Sequence, residues 1–236
     1  MKRGITAIFA IFCFYIGYAQ TMTIHYKNGQ NVKFNVESID YIDFQEKGND
    51  GATTVSESEA VDLGLSVLWA TRHVGATSCE QMGDKFAWGE TETKRSFTRD
   101  NCIYYEKVTW TYTDIGKDIS GTEFDVAHVK WGGKWRMPTL DEINELKKNC
   151  TWEWSRVNEV NGYKVIGKNG NSIFIPIIDG DTSFKSSCWT SCIPNDKEGA
   201  YSHACSFHLT GHMSINTART IAERYMGHYI RPVMSK

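Results

Sequence analysis

The chain has 236 residues, which is enough for one ordinary domain and a small additional unit. Its 26 basic and 28 acidic side chains give a formal net charge of -2, so the charge balance predicts no basic patch of the kind that binds nucleic acid. No block of like charge indicates binding to an anionic lipid surface. Composition and charge therefore exclude nucleic acid and charged membranes as predicted partners.

Residues 1–19 have the pattern of a secretory signal peptide. Lys2 and Arg3 form the charged start, an apolar run reaches Tyr18, and small residues end at Ala19. The run is short for a membrane span, and an uncleaved anchor is the alternative. We expect an exported protein with no membrane span after cleavage. Its expected location is extracellular or on the outer cell surface, with the periplasm as the alternative.

Residues 20–44 predict a small β-hairpin unit. Apolar and polar residues alternate from Met22 to Tyr26 and again from Val32 to Val36, with Asn28-Gly29 between the two runs. An Asn-Gly pair between alternating segments is the strongest short signal for a hairpin, because both turn residues adopt positive φ. The polar residues 45–60 predict a flexible linker. The main domain is then predicted over residues 61–236.

Two short helices are predicted in the stretch from Thr122 to Thr151. Thr139 can cap the second helix, since Glu142 lies three residues on and completes a capping box. The first helix is predicted to start at Thr122 and to end at Gly132-Gly133, where glycine supplies the left-handed conformation of a helix C-cap. The linking segment contains two tryptophans, which indicates a compact corner packed against a sheet.

Short strands are predicted after the second helix. Tyr163–Gly167 and Ser172–Ile177 flank Asn169-Gly170, which indicates a second hairpin. Further strands are predicted in segments 187–191, 200–209, 213–217 and 225–234. Together these segments predict a mostly antiparallel sheet.

Several landmarks occur in order along residues 61–234 and carry a resemblance to a known family. They are Val61-Asp-Leu-Gly-Leu-Ser-Val67, Phe86-Ala-Trp-Gly-Glu90, Trp131-Gly-Gly-Lys-Trp-Arg-Met-Pro-Thr139, Asn161-Gly-Tyr163, Asn171-Ser-Ile-Phe174 and Ile230-Arg-Pro-Val233. They resemble the FISUMP (major paralogous) domain family of secreted and surface proteins from Gram-negative gut anaerobes. Residues 135–142 and 229–233 are more distantly similar to formylglycine-generating-enzyme-type domains.

Both families belong with the C-type-lectin-like fold. The resemblance implies an α+β fold with a mixed, mostly antiparallel sheet and two short helices, in addition to the N-terminal hairpin unit. It also implies that the first and last strands, Leu65–Thr71 and His228–Met234, lie side by side. Structural roles are expected for Trp131, Trp135, Arg136, Pro138 and Arg231. The two arginines are expected in ion pairs with Asp62, Glu90 or Glu142, since buried guanidinium groups need partners.

Six of the seven cysteines follow the predicted signal peptide. Export permits disulfides, and bridges are expected among Cys188, Cys192 and Cys205 because these lie on neighbouring predicted strands. Isolated buried thiols are the alternative. The Cys188–Cys192 spacing is not Cys-x-x-Cys and does not match the catalytic pair of the related enzymes, so a structural role is favoured over redox chemistry.

No cofactor or catalytic group is predicted. Asn195 and Asp196 are weak calcium candidates, because the loop lacks an acid before its proline and Ca²⁺ needs six to eight oxygen ligands. A plain turn is the favoured interpretation of Pro-Asn-Asp. No nucleophile-base set, phosphate loop or paired-carboxylate signature is present in the sequence. The pattern favours a protein that is not an enzyme.

Aromatic residues in the irregular segment 93–119 are the remaining site candidates. Tyr104, Tyr105, Trp110 and Tyr112 lie in a predicted surface loop, where function tends to concentrate; packing is the alternative role. The leading hypothesis is a secreted, non-enzymatic module that binds a glycan or a cell-surface protein through these rings. The second is an assembly component of a surface appendage, in which Thr21–Phe44 adds a strand to a partner sheet. A thiol or metal oxidase is the least favoured.

Overall fold

The computed structural model describes residues 21–25, 31–35, 55–178, 186–194, 202–209 and 220–236. The chain divides into two compact units, residues 1–48 and 49–236. In the first unit, Thr21–His25 (β1) pairs antiparallel with Asn31–Asn35 (β2). This is the pairing that the alternation around Asn28-Gly29 predicts. The predicted signal peptide, residues 1–19, lies outside the described residues.

A four-stranded sheet forms the centre of the second unit. Its strands are Ala60–Asp62 (β3), Val67–Ala70 (β4), Trp135–Arg136 (β7) and Val233–Ser235 (β14), in the order β3-β4-β14-β7. β14 pairs antiparallel with β4, with Val233 opposite Trp69. The first and last predicted strands of the domain therefore lie side by side, although each is shorter than its predicted range.

Two three-stranded sheets and a small hairpin complete the second unit. One sheet contains Thr151–Val157 (β8), Val160–Ile166 (β9) and Ser172–Pro176 (β10). The other contains Ser187–Trp189 (β11), His203–His208 (β12) and Thr220–Glu223 (β13). The hairpin is Tyr105–Glu106 (β5) with Thr111–Tyr112 (β6). All the paired strands are antiparallel, so the described fold is mostly antiparallel β-sheet with few helices.

The two helices are Val126–Trp131 (α1) and Leu140–Asn149 (α2). Thr139 caps α2, and Glu142 reaches back to the Thr139 N–H at 2.8 Å, so the predicted capping box is present. The predicted start of α1 is wrong. Asp125, three residues after Thr122, is the N-cap, because its carboxylate accepts the N–H groups of Ala127 and His128 at 2.9 and 3.1 Å.

The end of the predicted linker is ordered structure. The Val55 N–H donates to the Trp131 carbonyl at 2.9 Å, and the indole N–H of Trp135 donates to the Val55 carbonyl at 3.0 Å. A 3₁₀ turn, Glu57–Glu59, and strand β3 follow directly. Linker composition predicted flexibility across residues 45–60, and this is wrong for 55–60, because two tryptophans in the α1–β7 corner bind that main chain.

The core consists of two clusters on opposite faces of the central sheet. Successive residues of a strand point to opposite faces, and Trp69 and Val233 belong to one cluster, whereas Ala70 and Met234 belong to the other. α2 packs on the first cluster and α1 on the second. In the second cluster, Trp131 meets Trp135 edge-on with ring centroids 5.0 Å apart.

Arg136 and Pro138, two of the residues expected to have structural roles, contact different parts of the domain. Arg136 forms the expected ion pair, since its guanidinium donates to both carboxylate oxygens of Glu142 at 2.9 and 2.5 Å. The carbonyl of Pro138, a buried residue, accepts the Ser191 N–H at 2.8 Å. These contacts join the start of α2 to the strand β7 on one side and to the end of β11 on the other.

Arg231 departs from the expected ion pair. Its side chain is fully buried and donates to the carbonyl oxygens of Ala70 at 3.2 Å and Phe174 at 2.9 Å. None of the three predicted acidic partners is in ion-pair contact with it. The expectation is wrong because the side chain enters the core between strands, where main-chain oxygens are the available acceptors. Burial lowers the pKa of Arg231 to about 10, so the group remains charged at neutral pH.

The β8–β9 turn leads to a stability prediction. Asn158 and Glu159 have φ of 45° and 67° between the paired residues Val157 and Val160. A side chain with Cβ in the left-handed region costs about 1–2 kcal/mol relative to glycine. Glu159→Gly is therefore expected to raise the free energy of unfolding by about 1 kcal/mol, measured by urea unfolding. Glu159→Ala keeps Cβ and is the control; equal stability of the two variants would contradict the prediction.

Candidate functional site

The most exposed large apolar side chains of the described residues come from one short segment. Ile103 is 68%, Val108 85% and Trp110 75% exposed. They lie before and within the β5–β6 hairpin. We call Ile103, Tyr105, Val108 and Trp110 the hairpin surface. Exposed apolar side chains scattered singly need no explanation, whereas contiguous ones indicate an interaction site. These four residues lie within positions 103–110 of the sequence.

The turn of the hairpin holds Trp110 in a strained conformation. The Trp110 N–H donates to the Glu106 carbonyl at 2.8 Å, and the Val108 N–H donates to the Glu106 carboxylate at 3.0 Å. Trp110 has φ of 60°, a region that costs a residue with Cβ about 1–2 kcal/mol. Strained backbone of this kind is concentrated at functional sites. The exposed indole is therefore presented by a turn with fixed geometry.

Tyr112 does not belong to this surface. It is 8% exposed, with its ring centroid 5.1 Å from that of Tyr105 and 5.0 Å from the Arg224 guanidinium. Burial raises the pKa of its hydroxyl to about 12. The expectation that Tyr112 offers a stacking face is wrong, because its ring supports Tyr105 from the core side of the hairpin.

Tyr104 and Tyr105 are both half-buried. The Tyr104 ring meets Phe124 edge-on with centroids 5.6 Å apart, and its carbonyl accepts the Thr113 N–H at 2.8 Å. Tyr104 therefore anchors the hairpin to the segment ahead of α1. Of the four predicted binding aromatics, the structure leaves Trp110 widely exposed and Tyr105 partly exposed.

A buried carboxylate fixes the start of the hairpin segment. Glu90 is 3% exposed, accepts the Ile103 N–H at 2.9 Å and forms an ion pair with Lys94 at 2.5 Å. A buried charge is tolerated when it is paired and hydrogen-bonded. Glu90 thereby ties the segment that carries Ile103 to the Phe86–Glu90 stretch of the core.

Arg99 and Tyr225 border the hairpin surface, and sequence reasoning missed both. The Arg99 guanidinium lies 5.7 Å from the ring centroids of Tyr105 and of Tyr225. It also donates to both carboxylate oxygens of Glu223 at 2.7 and 2.9 Å, which raises the pKa of Arg99. Arg99 and Glu223 are 124 positions apart, so no local pattern could have revealed the pair. The aromatic surface thus has a charged, hydrogen-bonding edge.

The cysteines are all free thiols in the part of the chain that the structure describes. Cys188 lies in the first core cluster with its sulfur 3.6 Å from His73 Nε2, and burial raises its pKa to about 12. Its expected disulfide is therefore not formed. Cys192 and Cys205 lie together, since the Cys205 N–H donates to the Cys192 carbonyl at 2.9 Å and their thiols are hydrogen-bonded.

The weak calcium candidates Asn195 and Asp196 lie outside the described residues. Within the ranges that are described, no group of three or more His, Cys, Asp or Glu side chains is placed to hold a metal ion. No helix in those ranges has the length and apolar character needed to cross a membrane.

Comparison of the chain with protein-family models, with curated proteins and with solved structures finds no match in any of the three.

Proposed function

We propose that the chain is an exported module that binds a glycan through the hairpin surface. The observation that carries this proposal is Trp110, a tryptophan 75% exposed and held at positive φ by a hydrogen-bonded turn. A folded chain gains nothing in stability from such a residue, because the ring is not buried and the backbone is strained. A ligand that stacks on the indole accounts for both features.

The charged edge of the hairpin surface suits a sugar. A sugar ring has an apolar face that packs on an aromatic ring and hydroxyl groups that need directional partners. Arg99 and Glu223 supply donors and acceptors beside Tyr105, and the Thr109 and Thr111 hydroxyls lie 2.7 Å apart on the turn that carries Trp110. The surface therefore combines one stacking platform with polar groups that orient a ligand.

The size of the surface favours a glycan over a protein. A stable protein interface buries roughly 800 Å² on each side and involves about 20–30 residues. The hairpin surface has four residues with Arg99 and Tyr225 at its edge, which matches a few sugar rings. A cell-surface protein is the alternative ligand.

A C-type-lectin-like fold is part of the proposal. It is supported by the pairing of β4 with β14, which brings the first and last strands of the domain together, and by the two short helices. The edge-on contact of Trp131 with Trp135 at the α1–β7 corner supports the same assignment. The sequence landmarks that resemble the FISUMP family include parts of β4, β14 and the Trp131–Trp135 corner, which supports the proposal.

Trp110→Ala is the variant that tests the proposal. It is expected to weaken binding to a recognised glycan by about ten-fold, or ~1.4 kcal/mol, because the stacking face is removed. Isothermal titration of the wild type and the variant measures the difference. Val129→Ala is the matched control, since Val129 is 46% exposed but lies on α1. Equal affinities of Trp110→Ala and the wild type would contradict the placement of the site.

A further inference from the structure

Cys192 and Cys205 lie in a surface pocket of about 370 Å³, away from the hairpin surface. The pocket is walled by the first turn of α2 and by the segments that contain Lys117, Asp118 and Pro194. Pockets that hold small ligands begin at about 300 Å³, so this one has room for a compact molecule. The two sulfur atoms are the nucleophilic groups of its lining.

The two thiols differ in access. Cys192 is half-buried, whereas Cys205 is 1% exposed. Cys192 lies just after β11, Cys205 lies on β12, and the Cys205 N–H donates to the Cys192 carbonyl at 2.9 Å. The hydrogen bond between the thiols places the buried sulfur directly behind the accessible one.

Two donors act on the Cys192 sulfur. The Cys205 thiol is the stronger; the Thr190 hydroxyl lies 3.5 Å from the sulfur but gives its hydrogen to the Cys205 carbonyl at 2.9 Å. The second donor is the N–H of Leu140, the first residue of α2. The first amides of a helix have no partner within the helix and carry partial positive charge. Together these donors lower the pKa of Cys192 to about 6, although burial opposes them.

The charged groups around the pocket are mixed in sign. Lys117 and Asp118 come from the segment ahead of α1, and Asp141 comes from the first turn of α2. Asp118 opposes ionisation of Cys192, but its effect is weaker than that of the donors. The other half-buried cysteines, Cys79 and Cys150, have pKa values that burial raises. Cys192 is therefore distinct among the accessible thiols of the described residues.

We propose that Cys192 and Cys205 form a redox-active dithiol that reduces low-molecular-weight disulfides of the amino-acid or short-peptide class. Such molecules carry both ammonium and carboxylate groups, which match the two aspartates and the lysine of the pocket wall. The pocket volume admits one half of a small disulfide. This activity is separate from glycan binding and does not depend on it.

The exchange proceeds in two balanced steps. The Cys192 thiolate attacks one sulfur of the substrate disulfide, a Cys192–substrate mixed disulfide forms, and the first substrate thiolate leaves. Cys205 then loses its proton to solvent and attacks the Cys192 sulfur. A Cys192–Cys205 disulfide forms and the second substrate thiolate leaves. The protein dithiol is oxidised by two electrons, and the substrate disulfide is reduced to two thiols.

Mass spectrometry of the reduced full chain with glutathione disulfide tests this mechanism. The wild type is expected to release two glutathione thiols and to gain a Cys192–Cys205 bridge. Cys205→Ser is expected to stop at a glutathione adduct on Cys192, and Cys192→Ser is expected not to react at this pair. Cys79→Ser is the control and should behave as the wild type. An adduct that forms first on Cys79, Cys150 or Cys205, or no reaction at all, would overturn the proposal.

Two further measurements define the nucleophile and the substrate class. Alkylation of Cys192 by iodoacetamide is expected to rise with pH to a midpoint of about 6, with Cys150 in the same molecule as the slow internal reference. In Cys205→Ala this midpoint is expected to shift upward, because the side-chain donor to Cys192 is lost. Glutathione disulfide is expected to react at least about ten-fold faster than the uncharged hydroxyethyl disulfide, which amounts to ~1.4 kcal/mol. A midpoint near that of Cys150, or equal rates for the two disulfides, would contradict the assignment.

Discussion

Asp125→Ala is expected to lower the free energy of unfolding by about 4 kcal/mol, because it leaves several buried N–H groups without an acceptor at a cost of about 1–3 kcal/mol each. The Asp125 side chain is fully buried and accepts four main-chain N–H groups. Two come from the first turn of α1, and the others are Gly121 at 2.8 Å and Met137 at 2.8 Å. One carboxylate therefore joins the helix to the end of β7.

Urea unfolding of Asp125→Ala measures this effect, and Asp114→Ala is the matched control. Asp114 is exposed and accepts only the Gly116 N–H at 2.9 Å among the contacts described for it, so its replacement is expected to change stability by less than about 1 kcal/mol. Asp125→Asn is expected to be intermediate, because an amide keeps one acceptor oxygen and replaces the other with a donor. Similar unfolding midpoints for Asp125→Ala and Asp114→Ala would contradict the assigned role.

Trp189→Ala is expected to lower the free energy of unfolding by about 4 kcal/mol, which is typical of replacing a large buried aromatic side chain in a core. Trp189 is fully buried, its indole N–H donates to the Phe86 carbonyl at 2.8 Å, and its ring meets His228 edge-on with centroids 4.2 Å apart. Its removal leaves a cavity where β11, the Phe86 segment and the C-terminal segment meet.

Trp110→Ala is the control for this substitution in the same unfolding experiment. Trp110 is 75% exposed, so its loss is expected to change the unfolding free energy by no more than about 0.5 kcal/mol. The pair of variants separates a tryptophan that stabilises the fold from one that is available to a ligand. A large loss of stability in Trp110→Ala would show that its ring packs against the protein and would remove the basis of the proposed site.

Sequence patterns that span a few residues correctly predicted the N-cap of α2 and the turn between β9 and β10. The Thr139–Glu142 capping box depends on residues three apart, and Asn169-Gly170 lies in the turn between β9 and β10. Such patterns carry their own geometry, because the participating groups are within a few residues of each other. Strand β8 was missed, although Trp152 and Trp154 alternate with charged or polar residues before the positive-φ pair at 158–159.

Long-range contacts decided the features that sequence could not predict. Asp125 rather than Thr122 caps α1, because Gly121 and the distant Met137 also need its carboxylate. Val55 is ordered because the Trp131 carbonyl and the Trp135 indole bind its main chain. These hydrogen-bond partners come together only when the helices and strands of the domain have assembled.

The same limit applies to the candidate site. Composition and loop position predicted a surface aromatic group, and Trp110 fits this prediction. Tyr112 is buried beside Arg224, which lies far along the chain. The pairing of Cys192 with Cys205 depends on the contact between the segment after β11 and β12. The lowered pKa of Cys192 also depends on the first N–H of α2. The spacing of these residues in the sequence does not reveal these contacts.

Glycan recognition by the hairpin surface is tested by binding of the chain from residue 20 to a glycan array, with calcium and with chelator. Glycan binding is expected to survive chelation, because stacking on Trp110 needs no metal, and Trp110→Ala is expected to abolish it. Hits that require calcium would move the site away from the hairpin surface, towards a loop with oxygen ligands. The absence of glycan binding both with calcium and with chelator would contradict glycan recognition.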